Sequence, residues 1–80
     1  MKTKWKEYAN YLEKQIEFNS QEELAEYILA IAKQSDKEEH HCDMEVSKAF
    51  KLKLRLTTHD KQNAITKKDW DLAEWIDNLD

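Results

Sequence analysis

The sequence predicts an α+β domain in which helices pack on one face of a sheet. Three observations predict it. Two segments carry apolar side chains at helical spacing, a long segment between them alternates apolar and charged residues, and a shorter alternation lies near the start. In chain order, residues 5–8 read as a short strand that turns through Ala9-Asn10. The next strand sets Leu12, Ile16 and Phe18 on one side and Glu13, Gln15 and Glu17 on the other. Ser20 with Glu23 fits a capping box, so a helix is expected over about residues 20–34, with Leu24, Ile28 and Ile31 as its apolar stripe. From Val46 a single long strand is expected: Val46, Phe50, Leu52, Leu54 and Leu56 face one way, and Ser47, Ala49, Lys51, Lys53 and Arg55 the other. Lys48 is the one misfit on the apolar side. Thr66 with Asp69 caps a last helix that runs to the C-terminus, with Leu72, Ala73, Ile76 and Leu79 on one face. Trp75 borders that face, and Trp70 projects from the opposite one as a candidate interface anchor or pocket wall.

Length and composition bound what such a domain can do. Eighty residues make one domain, 1–80, and a chain of this size hides only about 60% of the surface its unfolded form exposes. Gly and Pro are both absent, which excludes the dinucleotide fingerprint and the P-loop. Positions needing positive φ are then expected at Asn or Asp, with Asn10 and Asn63 placed where turns belong. One cysteine forms no internal disulfide. Residues 27–32, the longest apolar run, are too few to span a bilayer, and no apolar signal segment follows the basic start. A cytoplasmic domain without a membrane partner is expected. With 17 acidic and 13 basic residues the net charge is −4, so no nucleic-acid partner is expected either. The Lys51, Lys53, Arg55 stripe has no interleaved aromatic for base stacking and reads as a solvated sheet face.

The chemistry concentrates in residues 36–43, Asp-Lys-Glu-Glu-His-His-Cys-Asp, and in Thr57-Thr58-His59-Asp60. An imidazole with an ordinary pKa of about 6.5 can donate or accept a proton at neutral pH. His40 and His41 precede the long strand and His59 follows it, so only a hairpin or a sheet neighbour would bring them together. His40, His41, Cys42, Asp43, His59 and Asp60 are all competent metal ligands. Adjacent ligands crowd a tetrahedral centre, however, and no His-x-x-x-His or Cys-x-x-Cys pair exists, so no metal is expected. Cys42 has a histidine beside it but is expected to be a small, half-buried side chain rather than a nucleophile.

His40-His41-Cys42, the strand ending Leu56-Thr57-Thr58-His59-Asp60, and Thr66-x-x-Asp69-Trp70-x-Leu72-Ala73-x-x-Ile76-Asp77 together resemble the pterin-4a-carbinolamine dehydratases. Asp36, four residues before the first histidine, and Ile16-Glu17-Phe18 ahead of a helix fit the same pattern. The resemblance implies a four-stranded antiparallel sheet with helices on one side, hence one strand more than the periodicity gives, and assembly into homodimers or homotetramers. It implies dehydration of a 4a-hydroxytetrahydropterin to quinonoid dihydropterin, without metal or organic cofactor. On that pattern His40 and His59 are the acid/base pair, His41 positions the substrate and Asp36 orients His40. Glu39, Cys42, Thr57, Thr58 and Asp60 border the pterin, with Asp69 and Trp70 in support. Met44 stands where the family commonly has Trp, Ala49 where it has an aromatic, and Gln62-Asn63 where it has a Gly-Gly-type turn. The rival expectation is a dehydratase-like protein that binds, dimerises or assembles a partner without catalysis.

Overall fold

The computed structural model describes residues 5–58 and 64–79. Its elements are β1 (Lys6–Glu7), β2 (Leu12–Glu17), α1 (Gln21–Glu38), β3 (Asp43–Ser47), β4 (Lys51–Leu56) and α2 (Lys67–Asp77), with a 3₁₀ turn at Lys48–Phe50. The strands form one sheet in the order β1-β2-β4-β3, antiparallel throughout. The expected α+β class holds, and so does the four-stranded sheet.

The strand periodicity decides which face is dry. Leu12, Lys14 and Ile16 lie opposite Leu56, Leu54 and Leu52, and this face packs with Leu24 and Ile31 of α1 and Leu72, Ala73 and Ile76 of α2. The other face is polar and pairs its charges directly across strands. Glu13 accepts from Arg55 at 2.9 Å, Glu17 lies 3.7 Å from Lys51, and Glu45 lies 3.9 Å from Lys53, each pair in register. The basic stripe is thus neutralised by its neighbours.

Four local expectations need correction. The long strand from Val46 is two strands of a hairpin, β3 and β4, folded at residues 48–50. Positive φ falls on Glu39, Ala49 and Phe50 rather than on Asn or Asp among the described residues, and Asn63 lies outside them. Helix α1 runs on to Glu38, because Ser35 continues the buried stripe of Leu24 and Ile31 and Gln34 bonds Glu38 one turn away. Leu79 lies past the end of α2 and is 38% exposed instead of core.

Helix α2 has Lys67 and Lys68 beside the capping Asp69 in its first turn, and Asp77 in its last turn, where a negative charge opposes the dipole. Asp77 is compensated from the sheet. Lys14, fully buried on the apolar face of β2, donates to Asp77 Oδ1 at 2.6 Å, and the Trp5 indole N–H donates to the same oxygen at 3.0 Å. That clasp fixes the C-terminal end of α2 on β2, and so fixes where its N-terminal end meets the sheet.

Candidate active site

The hairpin assembles the site. Asp43 pairs with Arg55, and carrying that antiparallel register two residues further sets His41 against Thr57 and His40 near Thr58. Burial alternates through the same stretch: His40 and Cys42 are buried, His41 and Asp43 exposed. The two segments close a cleft of about 240 Å³ lined by Glu39, His40, His41 and Asp43 on one side. Thr57, Thr58 and Lys68 line the other.

His40 arrives there through the end of α1. Glu39 takes a left-handed conformation (φ 53°), its N–H bonds Asp36 O at 3.2 Å, and the His40 N–H reaches back to Ser35 O at 3.1 Å. This closure turns the chain inward. Glycine is the usual residue at such a position, so Glu39 holds it at a backbone penalty.

The buried hub is Asp69. Its Oδ1 meets His40 Nε2 at 2.5 Å, and its Oδ2 accepts from the Thr58 hydroxyl and from the Thr66 N–H, both at 2.9 Å. The Thr58 proton is committed to Asp69, so the 2.7 Å contact between the two hydroxyls is donated by Thr66. A carboxylate with no solvent exposure survives only with its lone pairs occupied, and here three donors occupy them. The sequence marked Asp69 as a helix cap. In the fold the same carboxylate caps α2, anchors the β4 terminus and orients His40. Because a carboxylate only accepts, His40 Nε2 is the donor to Asp69, which leaves Nδ1 as the ring nitrogen not engaged by that carboxylate.

Asp36 pairs with His41 at 2.9 Å rather than with His40, correcting the expected partnership. The two imidazoles differ sharply in access: the His41 side chain is 68% exposed and the His40 side chain 9%. Cys42, expected at the substrate, lines no part of the cleft. It belongs to the core, where burial pushes its thiol up to about 12 and leaves it un-ionised. Trp70 is 46% exposed and lies outside the cleft lining, as does Met44, which packs against the core. His59 and Asp60 follow Thr58 directly in the chain and lie outside the described residues. Among the described residues no three His, Cys, Asp or Glu side chains are grouped to hold a metal ion, and no helix is long and apolar enough to cross a membrane. Sequence reasoning missed Lys68 and did not place Asp43 at the substrate. The signal was position: Lys68 adjoins the cap residue Asp69, and Asp43 continues the His-His run.

Comparison with known proteins bears on the fold and the family. The solved structure of a transcriptional coactivator/pterin dehydratase from Brucella melitensis superposes with a TM-score of 0.84 over 94% of this chain and 80% of that one. At 17% identity that likeness speaks for the fold. A curated protein of Aquifex aeolicus (strain VF5), named as a pterin-4-alpha-carbinolamine dehydratase, is 35% identical over 75 residues, covering 94% of this chain and 74% of its own length. The family model described as pterin 4 alpha carbinolamine dehydratase matches residues 1–79, and with a hairpin that brings His40, His41, Thr57 and Thr58 to one cleft, the chain belongs to that family.

Proposed function

We propose that this chain dehydrates a 4a-hydroxytetrahydropterin to the quinonoid dihydropterin by histidine general acid/base catalysis. The observation that carries the proposal is the meeting of His40 and His41, each held by its own carboxylate, with Thr57 and Thr58, the residues that precede His59 in the sequence, at one cleft. A volume of about 240 Å³ suits one small molecule, being just under the roughly 300–1,000 Å³ of drug-sized sites.

The reaction breaks the C4a–O bond. A proton is delivered to the leaving hydroxyl, which departs as water, the N5 lone pair forms the C4a–N5 double bond, and a base removes the proton on N5. Proton transfer supplies the chemistry, so the proposal needs no metal or organic cofactor. His40 and His59 exchange these protons, with His40 acting through Nδ1 because Asp69 holds Nε2. His41, exposed and backed by Asp36, holds the ring. The positive character that develops on the pterin is met by the Glu39 and Asp43 carboxylates in the same lining. Thr57, Thr58 and Asp60 border the pterin edge in this reading. The working form is a cytoplasmic homodimer or homotetramer, with a pterin as substrate and no nucleic acid or membrane as partner.

Purified protein mixed with a freshly generated 4a-hydroxytetrahydropterin should speed its loss, and no acceleration over buffer would end the proposal. His59→Ala should lower the rate by roughly 10²–10⁴-fold while leaving the circular dichroism spectrum unchanged. A second reading, a non-catalytic binding or assembly role on this scaffold, is favoured by the exposed Trp70 away from the cleft. The name of the Brucella neighbour, which includes a coactivator, points the same way for that protein. A stoichiometric protein partner in pull-downs, with no pterin bound, would select it.

A further inference from the structure

Lys68 is the one lysine or arginine among the described cleft residues, and its position opposes ordinary helix electrostatics. It stands in the first turn of α2, where the dipole disfavours a positive charge. Its neighbour Lys67 is compensated by Asp71 at 3.5 Å, one turn along. Among the described residues no carboxylate lies within ion-pair distance of Lys68. Lys68 directly precedes Asp69, whose three hydrogen bonds fix the backbone at that point, so the root of the lysine is rigid while its ammonium keeps its donors for the cleft. The same cleft holds the Glu39 and Asp43 carboxylates, so it offers strong donors and strong acceptors to one small ligand.

We propose that Lys68 is a substrate-positioning residue that reads the amide edge of the pterin. This inference rests on the functional reading given above. A 2-amino-4-oxo pterin presents along one edge a carbonyl oxygen, an N–H and an amino group, in the pattern acceptor, donor, donor. The complementary protein pattern is one donor and two acceptors. The Lys68 ammonium supplies the donor for the C4 carbonyl, and a carboxylate of the cleft supplies the acceptors for the other two groups. Lys68 thereby turns the ring so that C4a faces the imidazoles, and it discriminates against pteridines that carry an amino group at C4, a donor set against a donor.

The test compares wild type, Lys68→Met and Lys68→Arg in two assays, turnover of the 4a-hydroxytetrahydropterin and equilibrium binding of 7,8-dihydropterin and 2,4-diaminopteridine. Wild type should bind the 4-oxo compound more tightly than the diamino one. Lys68→Met should raise KM and weaken 7,8-dihydropterin binding by about tenfold, with kcat changed much less, and should erase the preference between the two ligands. Lys68→Arg, which keeps the donor, should restore the preference. Unchanged KM and unchanged preference in Lys68→Met would overturn the inference while leaving the dehydratase reading intact. Wild type that binds no pterin and turns none over would overturn both. A merely structural lysine would lower the melting temperature without moving the ratio of the two binding constants, and that result also counts against the inference.

Discussion

Cys42 has a histidine on one side and an aspartate on the other, and burial decides its chemistry against both. Desolvation raises its thiol from 9.0 to about 12, and the Asp43 charge adds in the same direction. The sequence concealed this, because residues 36–43 are polar enough to read as surface. The inward and outward alternation of residues 40–43 leads into a strand that begins at Asp43, not at Val46. A thiol raised in the folded state favours folding fully below its ordinary pKa, and that contribution fades as pH climbs from 9.0 towards about 12. Cys42→Ala should therefore lose less stability than the parent over that alkaline window in denaturant titrations. Iodoacetamide should label the native thiol at pH 8 on the order of 10²-fold more slowly than the unfolded one, and equal rates would refute the buried assignment. Asp69 teaches the complementary lesson. Its helix-capping role was legible from Thr66-x-x-Asp69, whereas its bond to His40 joins residues 29 apart in sequence, which no local pattern encodes.

Among the elements, the β3–β4 hairpin was the least legible, for a reason of parity. Partners in this register, such as Val46 with Leu52 and Ser47 with Lys51, are separated by an even number of positions. Paired residues therefore share a face, and the apolar alternation passes through the turn without a break. No Gly or Asn marks the fold-back, since Ala49 (φ 63°) and Phe50 (φ 56°) take the left-handed positions themselves. The Phe50 carbonyl accepts from the Phe18 N–H at 3.0 Å, tying the turn to the end of β2. Helix α2, by contrast, was legible at its start and along its stripe of Leu72, Ala73 and Ile76, because cap and stripe are both local signals, though it ends at Asp77 rather than running on past Leu79. What the stripe hid is the clasp from Lys14. A buried ion pair gains little over an apolar substitute, yet removing the carboxylate takes away a charge that offsets the burial of the ammonium. Lys14→Met is expected to stay within about 1 kcal/mol of the parent stability or exceed it. Asp77→Ala, which leaves the ammonium buried, should lose about 2–3 kcal/mol, a range discounted because Asp77 is partly exposed. Urea unfolding of both variants measures this, and equal losses would show that the clasp contributes through packing alone.

For the molecule as a whole, the sheet ends in a strand whose outer edge pairs with no other strand among the described residues. β3 is an edge strand in the order β1-β2-β4-β3, and its sequence, Asp-Met-Glu-Val-Ser, has neither the Lys nor the Pro that commonly guards an edge. Val46 lies on the same face as Leu52, which is fully buried, but is itself 53% exposed, and Phe50 at the turn is exposed beside it. The apolar face of the sheet thus extends past the cover that α1 and α2 provide. In a domain with so small a core, pairing of two β3 edges would extend the sheet and bury Val46 and Phe50 together, which gives the proposed homodimer a physical basis. Such an assembly makes stability depend on mass action, so the melting temperature should climb by several degrees over about a hundredfold rise in protein concentration. Val46→Lys, which places a charge on that edge, should abolish the climb and leave the melting temperature of the dilute protein nearly unchanged. A melting temperature independent of concentration in the parent, with a single monomer mass in sedimentation, would mean that this edge stays free and that the small core carries the fold unaided.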